Sequence, residues 1–233
     1  MLAPPILTPN TPDLERAFVA NVMVGTSGNG DERAFSSIER SLENATNKSL
    51  GFPRPDAFLS VIIVSDEEDF SQTVSTFSES YSNPNLIPVS QYVDYLTQLT
   101  GSNTSSRKFN VSSVAVFDNA CRIQLGGSVQ KVAQRYRQLT EATSGILGSL
   151  CADFATTLAT ISNKVIELVT SFTLERLPQP GTLRVFVDGV DVPQSATDGY
   201  TYDAVANSIT FHGSGIPGAG ALISVSFIPT TLL

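Results

Sequence analysis

The stretch "AFLSVIIVSDEEDFS", residues 57–71, decides how this chain reads. Its first half ends in four consecutive β-branched aliphatics, Val61 to Val64. A short run that is apolar at successive positions predicts a strand buried on both faces, as at the centre of a parallel sheet. Its second half is four consecutive acids, Asp66 to Asp69, behind Ser65. In open α/β sheets, ligands gather beyond the carboxyl ends of the strands. The acids fall at that place.

Outward from this strand, helical and extended patterns alternate. "TPDLERAFVANV" predicts a short helix with Thr11 as its cap, Pro12 at its first position, and Leu14, Phe18, Val19 and Val22 on one inward face. A glycine-rich loop, "GTSGNG" at 25–30, feeds a second helix over about 31–44 with Ala34, Phe35, Ile38 and Leu42 inward. "VSQYVDYLTQLT" reads as a helix capped by Ser90, and "FNVSSVAVF" (109–117) as a second core strand. "SVQKVAQRYRQLTEATSG" predicts a helix with Val129, Val132, Ala133, Tyr136 and Leu139 inward, stopped by Gly145. "GILGSLC" is a candidate edge strand, and "ADFATTLATISNKVIELVTSF" a long helix with Phe154, Leu158, Ile161, Val165 and Leu168 at helical spacing. Alternation of this kind predicts a mostly parallel sheet with flanking helices.

The texture changes at "RLPQPGT" (176–182). Beyond it the patterns are all strand-like, with Asp188-Gly189 a strong hairpin turn. Two domains are expected: an α/β domain over 1–176 and a small all-β, sandwich-like domain over 177–233. Tyr200, Tyr202, Phe186 and Phe211 are expected to line the β core or its contact surface, with an exposed sugar-binding patch as the alternative.

A formal net charge of −8 over 233 residues argues against a nucleic-acid partner and against an anionic membrane surface. No apolar run reaches transmembrane length. The opening "MLAPPILTPNTPD" lacks the basic segment and long apolar core of a signal peptide. Either the protein is not secreted by that route, or Met1 is not the natural start.

Candidate chemistry centres on oxygen ligands. Mg²⁺ takes one or two carboxylates with hydroxyls and waters, so Asp66 with Thr26, Ser27 or Asn29 is a candidate ligand set. The competing assignment is ordinary: acids after a strand solvate a loop or complement a helix N-terminus. Nucleophilic catalysis has little to stand on. His212 is the only histidine and lies on a strand-like stretch, no Gly-x-Ser-x-Gly elbow occurs, and "GTSGNG" lacks the Gly-Lys-Ser/Thr ending of a P-loop. Asn44, Asn47, Asn103 and Asn110 each open an Asn-x-Ser/Thr triplet, which matters only in a eukaryotic source. Cys121 and Cys151 either pair or remain two thiols; spacing does not choose.

"FLSVIIVSDEEDFS", preceded by "NVMVGTSGNGDERAFSSIERSL" and followed by "RYRQLTEATSGILGSLCADFATTLATIS", resembles the later part of a von Willebrand factor A (vWA) domain of the bacterial surface type. The tail from "PGTLRVFVDGVDVP" is similar to segments that follow such domains. The resemblance implies a Rossmann-like fold that binds protein or carbohydrate partners without catalysis. It also implies Mg²⁺ or Mn²⁺ at a metal-ion-dependent adhesion site. There Asp66 would be the closing acid, Asn29 (or Thr26 or Ser27) the loop ligand, and Glu67, Glu68 and Asp69 the ligand-facing rim. It favours a Cys121–Cys151 disulfide and an extracellular or cell-surface setting. The family's Asp-x-Ser-x-Ser motif is absent, as are its first strand and helix. Either the sequence starts inside the domain, or a homo- or hetero-oligomeric partner supplies the strand, or the form has diverged and lost the metal. A structural subunit of a cell-surface or virion assembly is the alternative function.

Overall fold

The computed structural model describes residues 4–25, 31–55, 57–76, 78–103, 107–127, 131–218 and 221–230. The chain is mixed α/β and divides into two compact units, Met1–Ile161 and Ser162–Leu233.

The first unit is organised by a three-stranded parallel sheet. Its strands are β1 (Leu59–Val64), β2 (Phe109–Ala115) and β3 (Leu147–Ser149), in that spatial order. The helices are α1 (Leu14–Val22), α2 (Ala34–Glu43), α3 (Ala45–Ser49), α4 (Val89–Thr100), α5 (Asn119–Gln124) and α6 (Gln134–Ala142). A seventh, α7 (Phe154–Thr170), begins in the first unit and ends in the second. Period-two alternation sends Leu59, Val61 and Ile63 of β1 and Phe109, Val111 and Ala115 of β2 to one face. There they pack in one cluster with Phe35 and Leu42 of α2, Tyr92 and Leu96 of α4, and Tyr136 and Leu139 of α6. Polar groups tie α6 to β2: Ser113 Oγ lies 2.8 Å from Thr140 Oγ1, and Val111 N–H donates to Thr143 Oγ1 at 3.0 Å.

The central strand is β2, buried along its whole length. β1, expected at the centre, is the edge of the sheet. Ile62 and Val64 are 46% and 53% exposed. An apolar run looks the same whether or not its second face is covered, so periodicity could not separate the two cases. The predicted α1 stripe is also open: Leu14, Phe18, Val19 and Val22 are exposed and only Ala17 is buried. Asp13, not Thr11, stands at its N-cap, without a side-chain cap bond. Nor does Ser90 cap α4, whose N-cap is Pro88. Helix α6 starts at Gln134, so Val132 and Ala133 precede it; Val129 lies outside the described residues. In α7, Ile161 is buried while Phe154 and Leu158 are exposed. Short α3 and α5 were not anticipated; each is started by a side chain, Asn44 and Asp118, that accepts backbone N–H bonds.

The second unit holds two three-stranded antiparallel sheets. One runs β4 (Ser171–Thr173), β8 (Ser208–His212), β7 (Gly199–Asp203); the other runs β6 (Val190–Val192), β5 (Arg184–Val187), β9 (Ile223–Ser226). The turn between β5 and β6 is Asp188-Gly189, at φ 50° and 80°, the doubly positive geometry of a tight hairpin. Val185, Tyr200, Ile209 and Phe211 form the buried core, drawn from both sheets. This removes two of the four aromatics from any sugar-stacking surface. Tyr200 is buried with its hydroxyl donating to Leu183 O at 3.0 Å, and Phe211 packs edge-on to Phe172. Tyr202 donates to Asn207, and Phe186 lies under Arg184. His212 Nε2 is 2.7 Å from Thr201 Oγ1 on the neighbouring strand.

Candidate functional site

The four acids behind β1 separate into an outward and an inward pair. Ser65 N–H still donates to Val114 O at 3.1 Å, prolonging the ladder by one residue. Its hydroxyl then accepts from Glu67 N–H at 3.2 Å and turns the chain out of the sheet. Asp66 is exposed and Glu67 half-buried, whereas Glu68 and Asp69 are 3% and 0% exposed.

The inward pair caps two helices from a distance. Helix α2 has Arg33 at its N-cap and α6 has Ala133, and neither makes a side-chain cap bond. Their first N–H groups therefore need acceptors from elsewhere. Asp69 Oδ1 accepts from Phe35 N–H at 3.0 Å, and Ser71 Oγ accepts from Ser36 N–H at 3.1 Å. Glu68 Oε2 accepts from Arg135 N–H at 2.9 Å and from Gln134 N–H. Tyr81 O–H donates to the same oxygen at 3.0 Å. Burial pushes the Glu68 carboxyl above its ordinary value, and these donors act against that shift. Asp69 is further bound by Arg135, whose Nε and Nη2 each lie 3.1 Å from Oδ2. Arg135 also donates to Ile87 O at 2.8 Å and stands over the Phe35 ring. Glu68 and Asp69, expected on a ligand-facing rim, are thus consumed inside the protein. The physical reason is that two uncapped helix N-termini converge on the loop.

Arg135 is the functional residue of this framework that sequence reasoning missed. It sits in the first turn of α6, on the buried face that also carries Tyr136 and Leu139. A cation on an apolar stripe is the signal of a buried counter-ion.

The outward pair forms a crowded negative surface with Glu32. Burial raises the Glu32 carboxyl most, and the Asp66, Asp31 and Asp69 charges raise it further. Burial also leads for Glu67, followed by Asp66, Glu32 and Glu79, with Lys131 pulling the other way. Lys131 is ion-paired to Glu79 and stands over the Phe70 ring. Beneath the cluster lies Tyr136, fully buried. Burial pushes that phenol upward; a hydrogen bond with Ser65 acts against the shift, and the Asp69, Glu68 and Glu32 charges add to it.

Of the predicted ligand set, Asp66 is therefore placed in the open at the carboxyl end of β1. Thr26, Ser27 and Asn29 lie outside the described residues. Among the described residues, no group of three or more His, Cys, Asp or Glu side chains is arranged to hold a metal ion. Cys121 and Cys151, in the segments that follow β2 and β3, are joined in a disulfide, with Cα atoms 5.5 Å apart. No helix among the described residues is long and apolar enough to cross a membrane.

The chain matches no family model, no curated protein and no solved structure.

Proposed function

We propose that the chain is a non-enzymatic binding protein, acting through a vWA-like crevice at the carboxyl end of its parallel sheet on a protein or glycan partner at a surface. The supporting observation is the division of labour within residues 66–69. Glu68 and Asp69 lock the loop to α2 and α6, which holds Asp66 and Glu67 outward on a rigid base. A preorganised acidic rim of this kind binds with little ordering cost. The two antiparallel sheets of the second unit are read as a small sandwich-like domain that follows the α/β domain. The disulfide suits an oxidising, extracellular or cell-surface setting.

In the vWA resemblance Mg²⁺ or Mn²⁺ occupies such a rim. The described donors alone do not complete a ligand set, so no step is routed through a cation. Calorimetric titration of Mg²⁺ and Mn²⁺ into the chain, and into Asp66→Ala, tests that part. Saturable binding of one ion per chain that vanishes in the variant supports a cation-mediated rim. Equal heats from both proteins overturn it.

A second reading is favoured by a different observation, the edge of β1 that no strand occupies among the described residues. It makes the chain a structural subunit of a cell-surface or virion assembly, held by sheet-edge contacts.

A further inference from the structure

We propose that the outer edge of β1 pairs antiparallel with β1 of a second copy of this chain, across a twofold axis at Ile62. The inference rests on the assembly reading above and names its partner.

The backbone carries the first part of the argument. Leu59 N–H donates to Lys108 O at 2.9 Å and Ser65 N–H to Val114 O at 3.1 Å, both toward β2. Alternation along a parallel strand then turns the N–H and C=O of Ser60, Ile62 and Val64 to the open side. No strand occupies that side among the described residues. Exposed edges are normally guarded by Lys, Pro, a bulge or an inward charge. "LSVIIV" has none of these in its sequence. Ile62 at 46% and Val64 at 53% exposure add an apolar strip beside amides that no strand pairs among the described residues.

Charge selects the occupant and the direction. The carboxyl end of β1 carries Asp66, Glu67 and Glu32, which crowd one another. The amino end is basic in balance, two cations against Asp56 in the sequence: exposed Arg54 shares a hollow with Leu59, and exposed Lys108 adjoins Leu59 through the ladder. A parallel partner of the same charge pattern would set acids against acids. An antiparallel copy sets the acidic end of each strand against the basic end of the other. With Ile62 opposite Ile62, Ser60 meets Val64 of the second copy, and every outward amide of the three residues finds its complement. The two parallel sheets become one continuous sheet.

The test is light scattering across a dilution series on the full chain, with Ile62→Lys, Val64→Lys and Ile62→Cys, each checked by circular dichroism for retained fold. A dimer is expected, with its dissociation constant raised at least about tenfold by either lysine. A symmetry-related cross-link is expected for Ile62→Cys under mild oxidation. Oligomers unchanged by both lysines, or a dimer that Ile62→Cys fails to cross-link, overturn the edge pairing while leaving assembly in place. A chain that stays monomeric at all concentrations overturns both, and gives the edge to a strand of different sequence.

Discussion

Asp69 and Arg135 form a buried ion pair that joins the end of β1 to the start of α6, across 66 residues of chain. Asp69 is fully buried and also accepts from Phe35 N–H, Ser71 N–H and Ser71 Oγ, so its oxygens are saturated. Such a pair is costly to break from one side, because the surviving charge stays buried and unpaired. Arg135→Ala is expected to cost about 3–5 kcal/mol. Asp69→Asn with Arg135→Met together is expected to cost less than the sum of the single changes. Urea unfolding of the three variants measures the coupling, and strict additivity would refute the pairing as the source of the loss.

Neighbouring acids are expected to behave oppositely. Asp66 is exposed, and Asp66→Ala is expected to change stability by no more than about 0.5 kcal/mol. Glu68→Ala strips the acceptor from the N–H groups of Gln134 and Arg135 and from Tyr81. A loss of about 2–3 kcal/mol is expected from the missing cap and the unsatisfied donors. Parallel denaturation curves decide the matter. Equal losses at the two positions would contradict the inward-outward split.

The split also sets a pH dependence. Glu32, Glu67 and Glu68 are all raised above the ordinary glutamate value of 4.5 in the fold. The native chain therefore holds protons that the unfolded chain has released, in the window from 4.5 up to the raised values. Stability from these groups is present below that window and lost as pH rises through it. Glu68→Gln is expected to flatten the slope of unfolding free energy against pH within the window. The measurement is the urea midpoint at a series of pH values, and an unchanged slope would remove Glu68 as a contributor.

What the sequence made legible was local. Asp188-Gly189 specified its hairpin because both residues tolerate positive φ and the flanking strands alternate. The strand at 59–64 and the helix at 89–100 followed from runs whose signal lies within a few residues. The destination of Glu68 and Asp69 was not legible. Their partners stand 34 and 67 residues away, at Phe35 and Arg135, and nothing in the run of acids distinguishes a cap from a ligand. The edge position of β1 and the bare face of α1 were hidden for a related reason. Apolar patterning reports that a surface wants covering, not what covers it.

Gly145 illustrates a local signal with the wrong mechanism. Gly145 was expected to stop α6, and a glycine in that role commonly takes the left-handed conformation. Ser144 takes it instead, at φ 57°. Gly145 is required by space: a Cβ there would lie 1.9 Å from Val111 O, backbone of the central strand. Backbone at that distance cannot yield as a flexible side chain does. Gly145→Ala is expected to destabilise by about 3 kcal/mol or more, whereas Ser144→Gly is expected to be neutral or mildly stabilising. Thermal melts of the two variants test the assignment, and reversed signs would overturn it.

The Cys121–Cys151 bridge closes a loop with a sequence separation of 30, joining α5 to the segment after β3. α5 is only six residues long and buries Cys121 alone, so little else anchors it to the sheet. The bridge restrains the unfolded chain, and a loop of this length corresponds to about 3–4 kcal/mol. The paired replacement Cys121→Ser with Cys151→Ser is expected to lower stability by that amount without loosening the base of the acidic rim, which is held by Asp69, Glu68 and Arg135 on other elements. Hydrogen exchange is the measurement that separates these regions. Deprotection is expected at Asn119–Gln124, with Phe35 and Arg135 N–H protected as before. Loss of protection at Phe35 and Arg135 would mean that the rim depends on the disulfide, contrary to the bonds that hold it.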